Sequence, residues 1–250
     1  MIILCGLLVI NQRQFATGNF EYGIPTQLEG VVYKSPVPHL IVNFGSDQFG
    51  TKLSKTILLV GFGKSGAVKA IEQIEDKLGR SIVGKSIVLT GYLIYGDGKT
   101  IFQIMESENS NSVMNATEVQ VQNPMIDKGE AAILGEVIDP KCYFGVMKPG
   151  EGKPHRSCAI RCIAGGIPPV FHVANSSAYF ILMGENLEPV NEQVLALVGD
   201  QVELKGRMME MNEWNVLVLD KNELKRLAKT RTLKLNLLAM EAGMTFCGEH

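Results

Sequence analysis

Gly84–Ile104 reads GKSIVLTGYLIYGDGKTIFQI, and Gly199–Leu219 reads GDQVELKGRMMEMNEWNVLVL. The two align without a gap at an offset of 115 residues: Gly84 falls on Gly199, Gly91 on Gly206, Ile87 on Val202 and Leu89 on Leu204. Alternating apolar positions around a turn, Gly96-Asp97-Gly98 in one and Asn212-Glu213 in the other, predict a β-hairpin in each. A glycine inside a strand marks a bulge or a sharp bend, as at the corner of a small barrel.

The repeat extends upstream. Leu28–Val32 (LEGVV) resembles Leu134–Ile138 (LGEVI), with Gly30 and Gly135 105 residues apart, and Ile57–Gly61 (ILLVG) matches Phe180–Gly184 (FILMG). The connector before the hairpin is clearest at Ala67–Leu78, where Val68, Ile71, Ile74 and Leu78 share one face of a helix. Each copy is therefore strand, long connection, strand, connector, hairpin. Five short strands with a helix before the last hairpin is the OB-like order. The expected fold is mainly β: two tandem OB-like small barrels, 26–107 and 131–220, with short helices. An apolar segment, 1–25, precedes them, and a C-terminal helix and tail, 221–250, follow. Glu106–Ser112 (ESENSNS) reads as the linker and Glu118–Gln122 as a further strand. Asp220–Lys229 reads as a solvated helix, and Thr230–His250 as an apolar tail that packs back on the barrels.

The copies differ in one place. Gly135 to Gly184 is 49 positions, against 31 from Gly30 to Gly61. The added length is Cys142–Cys162, CYFGVMKPGEGKPHRSCAIRC, which holds three of the five cysteines and one of the four histidines. Loops on a rigid scaffold are where function is usually placed. The spacing is Cys-x12-His-x2-Cys-x3-Cys. Pro154 suits the first position of a helix and Gly165-Gly166 its end, so a helix is expected over 154–164. On it, His155, Cys158 and Cys162 stand at i, i+3 and i+7, on one face. Cys142 is expected on the preceding extended segment, folded back by a flexible Lys148–Lys153 loop.

Three sulfurs and an imidazole converging on one point suit a metal, zinc or copper, with Cys142, His155, Cys158 and Cys162 as ligands. A Cys-x2-Cys knuckle is absent. Two other chemistries fit the same residues. Two cysteines form a disulfide while the third, near His155 and Arg156, stays redox-active; or the cysteines pack as small apolar side chains. Arg156 and Arg161 read as a basic helix face, His172 as a strand histidine turned toward the site, and Trp214 as packing. Cys247-x2-His250 could complete a metal site, and Cys5 lies in the apolar start.

Other signals exclude more than they include. Gly61-Phe62-Gly63-Lys64-Ser65-Gly66 spells a dinucleotide fingerprint, yet no acidic residue closes the next strand and the second copy has Gly184-Glu185-Asn186-Leu187 in its place. Loop geometry explains it better, and no nucleotide is expected. No G-x-S-x-G, no H-E-x-x-H and no full phosphate loop is present, so no catalytic set is assigned. A hydrophobic fraction of 46%, a charged fraction of 20% and a net charge of −2 describe a globular chain without a basic field, and no nucleic-acid partner is expected.

Residues 139–169, DPKCYFGVMKPGEGKPHRSCAIRCIAGGIPP, resemble a segment of uncharacterised bacterial membrane-anchored proteins. FATGNFEYG, residues 15–23, is similar to the piece that follows their membrane segment. The resemblance implies membrane association on the extracytoplasmic face, with a membrane or membrane-protein complex as partner, and no particular reaction. The apolar run Met1–Ile10 (MIILCGLLVI) is shorter here than the roughly 20 residues a spanning helix needs, and three readings fit it: a truncated membrane anchor, a buried strand or helix of the fold, or a short interfacial anchor. The expected function is a metal- or cofactor-binding accessory protein, in electron transfer or assembly. The rivals are a thiol-disulfide redox protein and a structural module.

Overall fold

The computed structural model describes residues 17–46, 48–49, 52–105, 125–145 and 147–227. A two-residue strand, β1 (Asn19–Phe20), precedes β2 (Thr26–Tyr33), β3 (His39–Ser46), β4 (Lys52–Val60), helix α1 (Ala67–Leu78), β5 (Ser86–Gly96) and β6 (Lys99–Ile104). The last five strands close a ring in the order β2-β3-β4-β6-β5, with β1 added to β5. Every pairing is antiparallel except β4 with β6. The second copy follows with β7 (Ile126–Ile138), helices α2 (Pro140–Phe144) and α3 (Gly152–Ala164), β8 (Val170–Val173), β9 (Tyr179–Gly184), a one-turn helix α4 (Asn191–Val194), β10 (Gln201–Met211) and β11 (Trp214–Leu219). It closes as β7-β8-β9-β11-β10, again with one parallel pair, β9 with β11. The chain is two OB-like barrels in tandem. Both strands of the second hairpin begin and end 115 residues after their counterparts.

The repeated glycines mark strand crossings. A Cβ on Gly91 would lie 2.2 Å from Gln103 O, and one on Gly206 2.4 Å from Val218 O. At Gly91 β5 passes from β2 to β6, and at Gly206 β10, still paired with β7, takes up β11, and only a residue without a side chain lets the backbones approach so closely.

Three apolar clusters follow from the side-chain alternation. Leu40, Ile57, Leu59, Leu89 and Phe102 fill the first barrel beneath α1. Phe171, Phe180, Leu182, Leu204 and Leu217 fill the second. The third lies between them: Leu58, Val60 and Ile101 on one side, and Tyr179, Ile181, Met183, Val216 and Val218 on the other. The strands of both parallel pairs are therefore buried on two faces, which is why they read as unbroken apolar runs rather than alternating ones.

Two reciprocal contacts fasten the barrels. The hairpin turn of the first sends Asp97 to accept a hydrogen bond from the Tyr179 hydroxyl of the second. In the hairpin turn of the second, Asn212 donates through Nδ2 to Thr56 Oγ1 of the first, at 2.7 Å, and Glu213 Oε2 accepts from Thr56 N at 2.9 Å. Asp97 and Asn212 are equivalent by the repeat, as are Thr56 and Tyr179. The contact has the logic of a two-fold interface, each copy offering the same pair of positions.

Some expectations need correction. The second barrel starts at Ile126, ahead of 131. On α1 the buried residues are Ala67, Ala70, Ile71 and Ile74, while Val68 is exposed. The face turns toward the small alanines, where the helix comes closest to the barrel. The C-terminal helix is not merely solvated: Leu227 is buried, and Glu223, capped through its N–H by Asp220, accepts from Lys205 N. Glu106–Ser112, Glu118–Gln122, Thr230–His250, Cys5, Cys247 and His250 lie outside the described residues.

Candidate metal centre

The site lies in the connection between β7 and β8. Asp139 caps α2, its Oδ1 accepting from Lys141 N at 3.0 Å, and Pro140 occupies the first helical position. A capping aspartate followed by proline starts a helix. Cys142 therefore sits on a helical turn rather than on the extended segment expected. The loop after it is held. Lys148 Nζ donates to Gly145 O at 3.1 Å, and Gly152 N donates to Glu136 Oε1 at 2.5 Å. Helix α3 begins at Gly152, two residues before the expected start, and ends at Ala164, with Gly165 N bonded back to Arg161 O. It lies along the seam. Ala159 and Ile163 face the interior of the second barrel, while Cys158 and Cys162 pack on the cluster between the barrels.

Cys142, Cys158 and Cys162 come together, their Sγ atoms all within 4.8 Å of one another. All three are free thiols. Cys162 is buried, and Cys142 and Cys158 are partly exposed. His155 joins a different trio: its ring nitrogen, Cys142 Sγ and a carboxylate oxygen of Asp139 lie within 4.8 Å of one another. The seven positions from His155 to Cys162 cover about 10 Å of helix axis, so one face does not mean one point. Cys142 is common to both groups.

His155 Nε2 is buried without a hydrogen-bond partner, and the buried Asp139 Oδ2 has none beyond what the Cys142 thiol offers its carboxylate. Asp139 is fully buried, and His155 is 4% exposed. Unsatisfied buried polar atoms are rare and cost free energy unless something fills the role. Burial holds His155 below the usual imidazole range, in the neutral form that ligates metals. The Cys142 thiol is pushed far above its ordinary value by its hydrogen bond with Cys162, then by burial, the Asp139 charge and a hydrogen bond with Asp139.

The first barrel supplies two cations. Lys64, in the Gly61–Gly66 loop, donates to Cys158 Sγ at 3.1 Å; that bond and the nearby sulfurs raise the ammonium. Lys141 is buried, with Nζ donating to Gly61 O at 3.0 Å and Gly63 O at 2.6 Å; burial lowers it, and Asp139 and the cysteines oppose that. The glycines of this loop serve close packing. Gly66 N donates to Gly165 O at 2.9 Å, a Cβ on Gly66 would meet Gly166 O at 2.1 Å, and one on Gly165 would meet Lys64 O at 1.9 Å.

Other singled-out residues lie elsewhere. His172 Nδ1 pairs with Glu151 at 3.0 Å, and the ring stacks on Tyr179, outside both groups. Arg156 is held by Asp200 and Ala196 O, and Arg161 is exposed. Trp214 is fully buried between the barrels, with Lys99 Nζ 5.3 Å from its ring centre. Sequence reasoning missed Asp139 and Lys141, and it set Lys64 beside a possible anion at the helix N-terminus instead of beside Cys158. Asp-Pro-Lys-Cys carried the signal for the first, as a helix cap three residues before a ligand; nothing local linked Lys64 to a cysteine 94 residues away.

No family model matches the chain, and no curated protein or solved structure matches it either. Among the described residues no helix is long and apolar enough to cross a membrane.

Proposed function

We propose that this protein binds a soft transition metal through Cys142, Cys158 and Cys162, with His155 alongside, as an accessory protein in electron transfer or metal assembly. The observation that carries this is the convergence of three free sulfurs beside the buried, unpartnered His155 Nε2 and the buried Asp139 carboxylate. Thiolate triads select zinc or Cu(I) over hard cations. An iron–sulfide cluster would spread its thiolates more widely than a single ion, so the close sulfurs favour the ion. Binding displaces the thiol protons and so stabilises the fold by linkage. The resemblance of residues 139–169 to bacterial membrane-anchored proteins supports a location at the outer face of a membrane, with a membrane or membrane-protein complex as partner.

Anaerobic, reducing purification followed by elemental analysis tests the reading. Stoichiometric zinc or copper, reduced in Cys158→Ser, is expected; no bound metal in the wild type, even after reconstitution, refutes it. The proximity of the sulfurs also favours a second reading, reversible disulfide formation between two of them. That reading requires the free-thiol count to fall by two on mild oxidation; an unchanged count removes it.

A further inference from the structure

The two trios at the site share a single atom. Cys142 Sγ belongs with Cys158 and Cys162 on one side, and with Asp139 and His155 on the other. An ion held by the three sulfurs alone leaves His155 Nε2 buried and unpartnered, and takes from the buried Asp139 carboxylate the hydrogen bond of the Cys142 thiol. A buried imidazole and a buried carboxylate beside one sulfur define a second place for a cation. Resting on the metal reading above, we infer that the chain holds two ions bridged by the Cys142 thiolate. One sits among Cys142, Cys158 and Cys162, the other among Asp139, Cys142 and His155.

Charge decides which ions. Three thiolates and a carboxylate carry four negative charges, and Lys64 and Lys141, both within electrostatic reach of the cysteines, return two. Two monovalent ions close the balance in a largely buried site, whereas two divalent ions overshoot it. Cu(I) is the soft monovalent metal that thiolates prefer. In the second position Cys142 and His155 are the ligands Cu(I) accepts, and Asp139 contributes mainly charge. Loading the two ions turns all three thiols into thiolates and releases three protons to solvent; no electron is transferred in loading.

The test is anaerobic titration of the full chain with Cu(I) supplied from a weak chelator. Bound copper is counted after gel filtration, and the copper–copper vector is sought by X-ray absorption. Two Cu(I) per chain with a short metal–metal vector is the expected result. His155→Ala and the size-matched His155→Gln should each bind one, Asp139→Asn should weaken the second ion by about tenfold or more, and Cys158→Ser should retain one. Circular dichroism of each apo variant verifies the fold. A single copper in the wild type, or two retained in both His155 variants, overturns the shared-thiolate site while leaving a one-metal protein. No copper and no zinc bound at all overturns the metal reading itself.

Discussion

The two barrels treat the same connection in opposite ways. Between β2 and β3 the first barrel uses Lys34–Pro38, a tight turn that contributes Val37 to the shared core. Between β7 and β8 the second uses residues 139–169, which add two helices and every sulfur of the candidate centre. The strands on either side keep the repeat, so the longer loop did not disturb the ring that carries it. Function is concentrated where the scaffold is free to vary. The first barrel is not idle, however. Its Gly61–Gly66 loop covers the inserted helix and delivers Lys64 to Cys158.

Four changes would break or sharpen this contrast. Phe144, on the inserted α2, packs edge-on against Tyr179 and Trp214 with 1% exposure. Phe144→Ala should cost about 3–5 kcal/mol in urea unfolding; a small effect would mean that the insertion is a passenger rather than part of the shared core. Next comes the loop packing. Gly66→Ala puts a methyl 2.1 Å from Gly166 O without backbone strain and should cost about 1–3 kcal/mol. Gly63→Ala, at a φ of +61° in open space, should lose only about 1 kcal/mol. Similar losses for the two would show that the loop does not need its close contact.

The reciprocal fastenings come third. Tyr179→Phe and Thr56→Val each remove one hydrogen bond between the barrels and should each cost about 1 kcal/mol. Their double variant should show the sum if the contacts act independently. The smallest effect is one of pH. Burial alone would lower His172, but the Glu151 carboxylate and the Ser176 carbonyl outweigh it and raise the imidazole above 6.5. A raised histidine stabilises the fold fully below its unfolded value, and the contribution fades as pH rises through the folded one. The melting-temperature advantage of the wild type over His172→Gln should therefore shrink from mildly acidic to alkaline buffer. An advantage that grows instead would mean that the neutral imidazole is the form that matters.

Much of the fold was legible because it is written twice. Glycine spacing and strand periodicity recur at a fixed offset, and a pattern repeated in one chain filters out coincidence. The cysteines at i and i+4 on α3 were legible for the same reason that any helical face is. Lys64 was not, because its partner comes from the other barrel, and no local pattern encodes how two barrels dock. The division of the ligands into two trios was hidden as well. It depends on α2 turning Cys142 toward both ends of the cluster, and on a few ångströms along the axis of α3. Val68 misled because apolar periodicity weights large side chains, whereas the closest approach of α1 belongs to Ala67 and Ala70.

The reciprocal turns imply that peptide continuity is not what keeps the halves together. Each half carries its own closed ring and one member of each fastening pair, Asp97 and Thr56 in the first, Tyr179 and Asn212 in the second. Expressed as separate pieces split between residues 105 and 125, the halves are expected to recombine into one particle. Lys64 would again cover Cys158 only in the reassembled pair, so fragment complementation would reconstitute a sulfur site that neither piece completes alone.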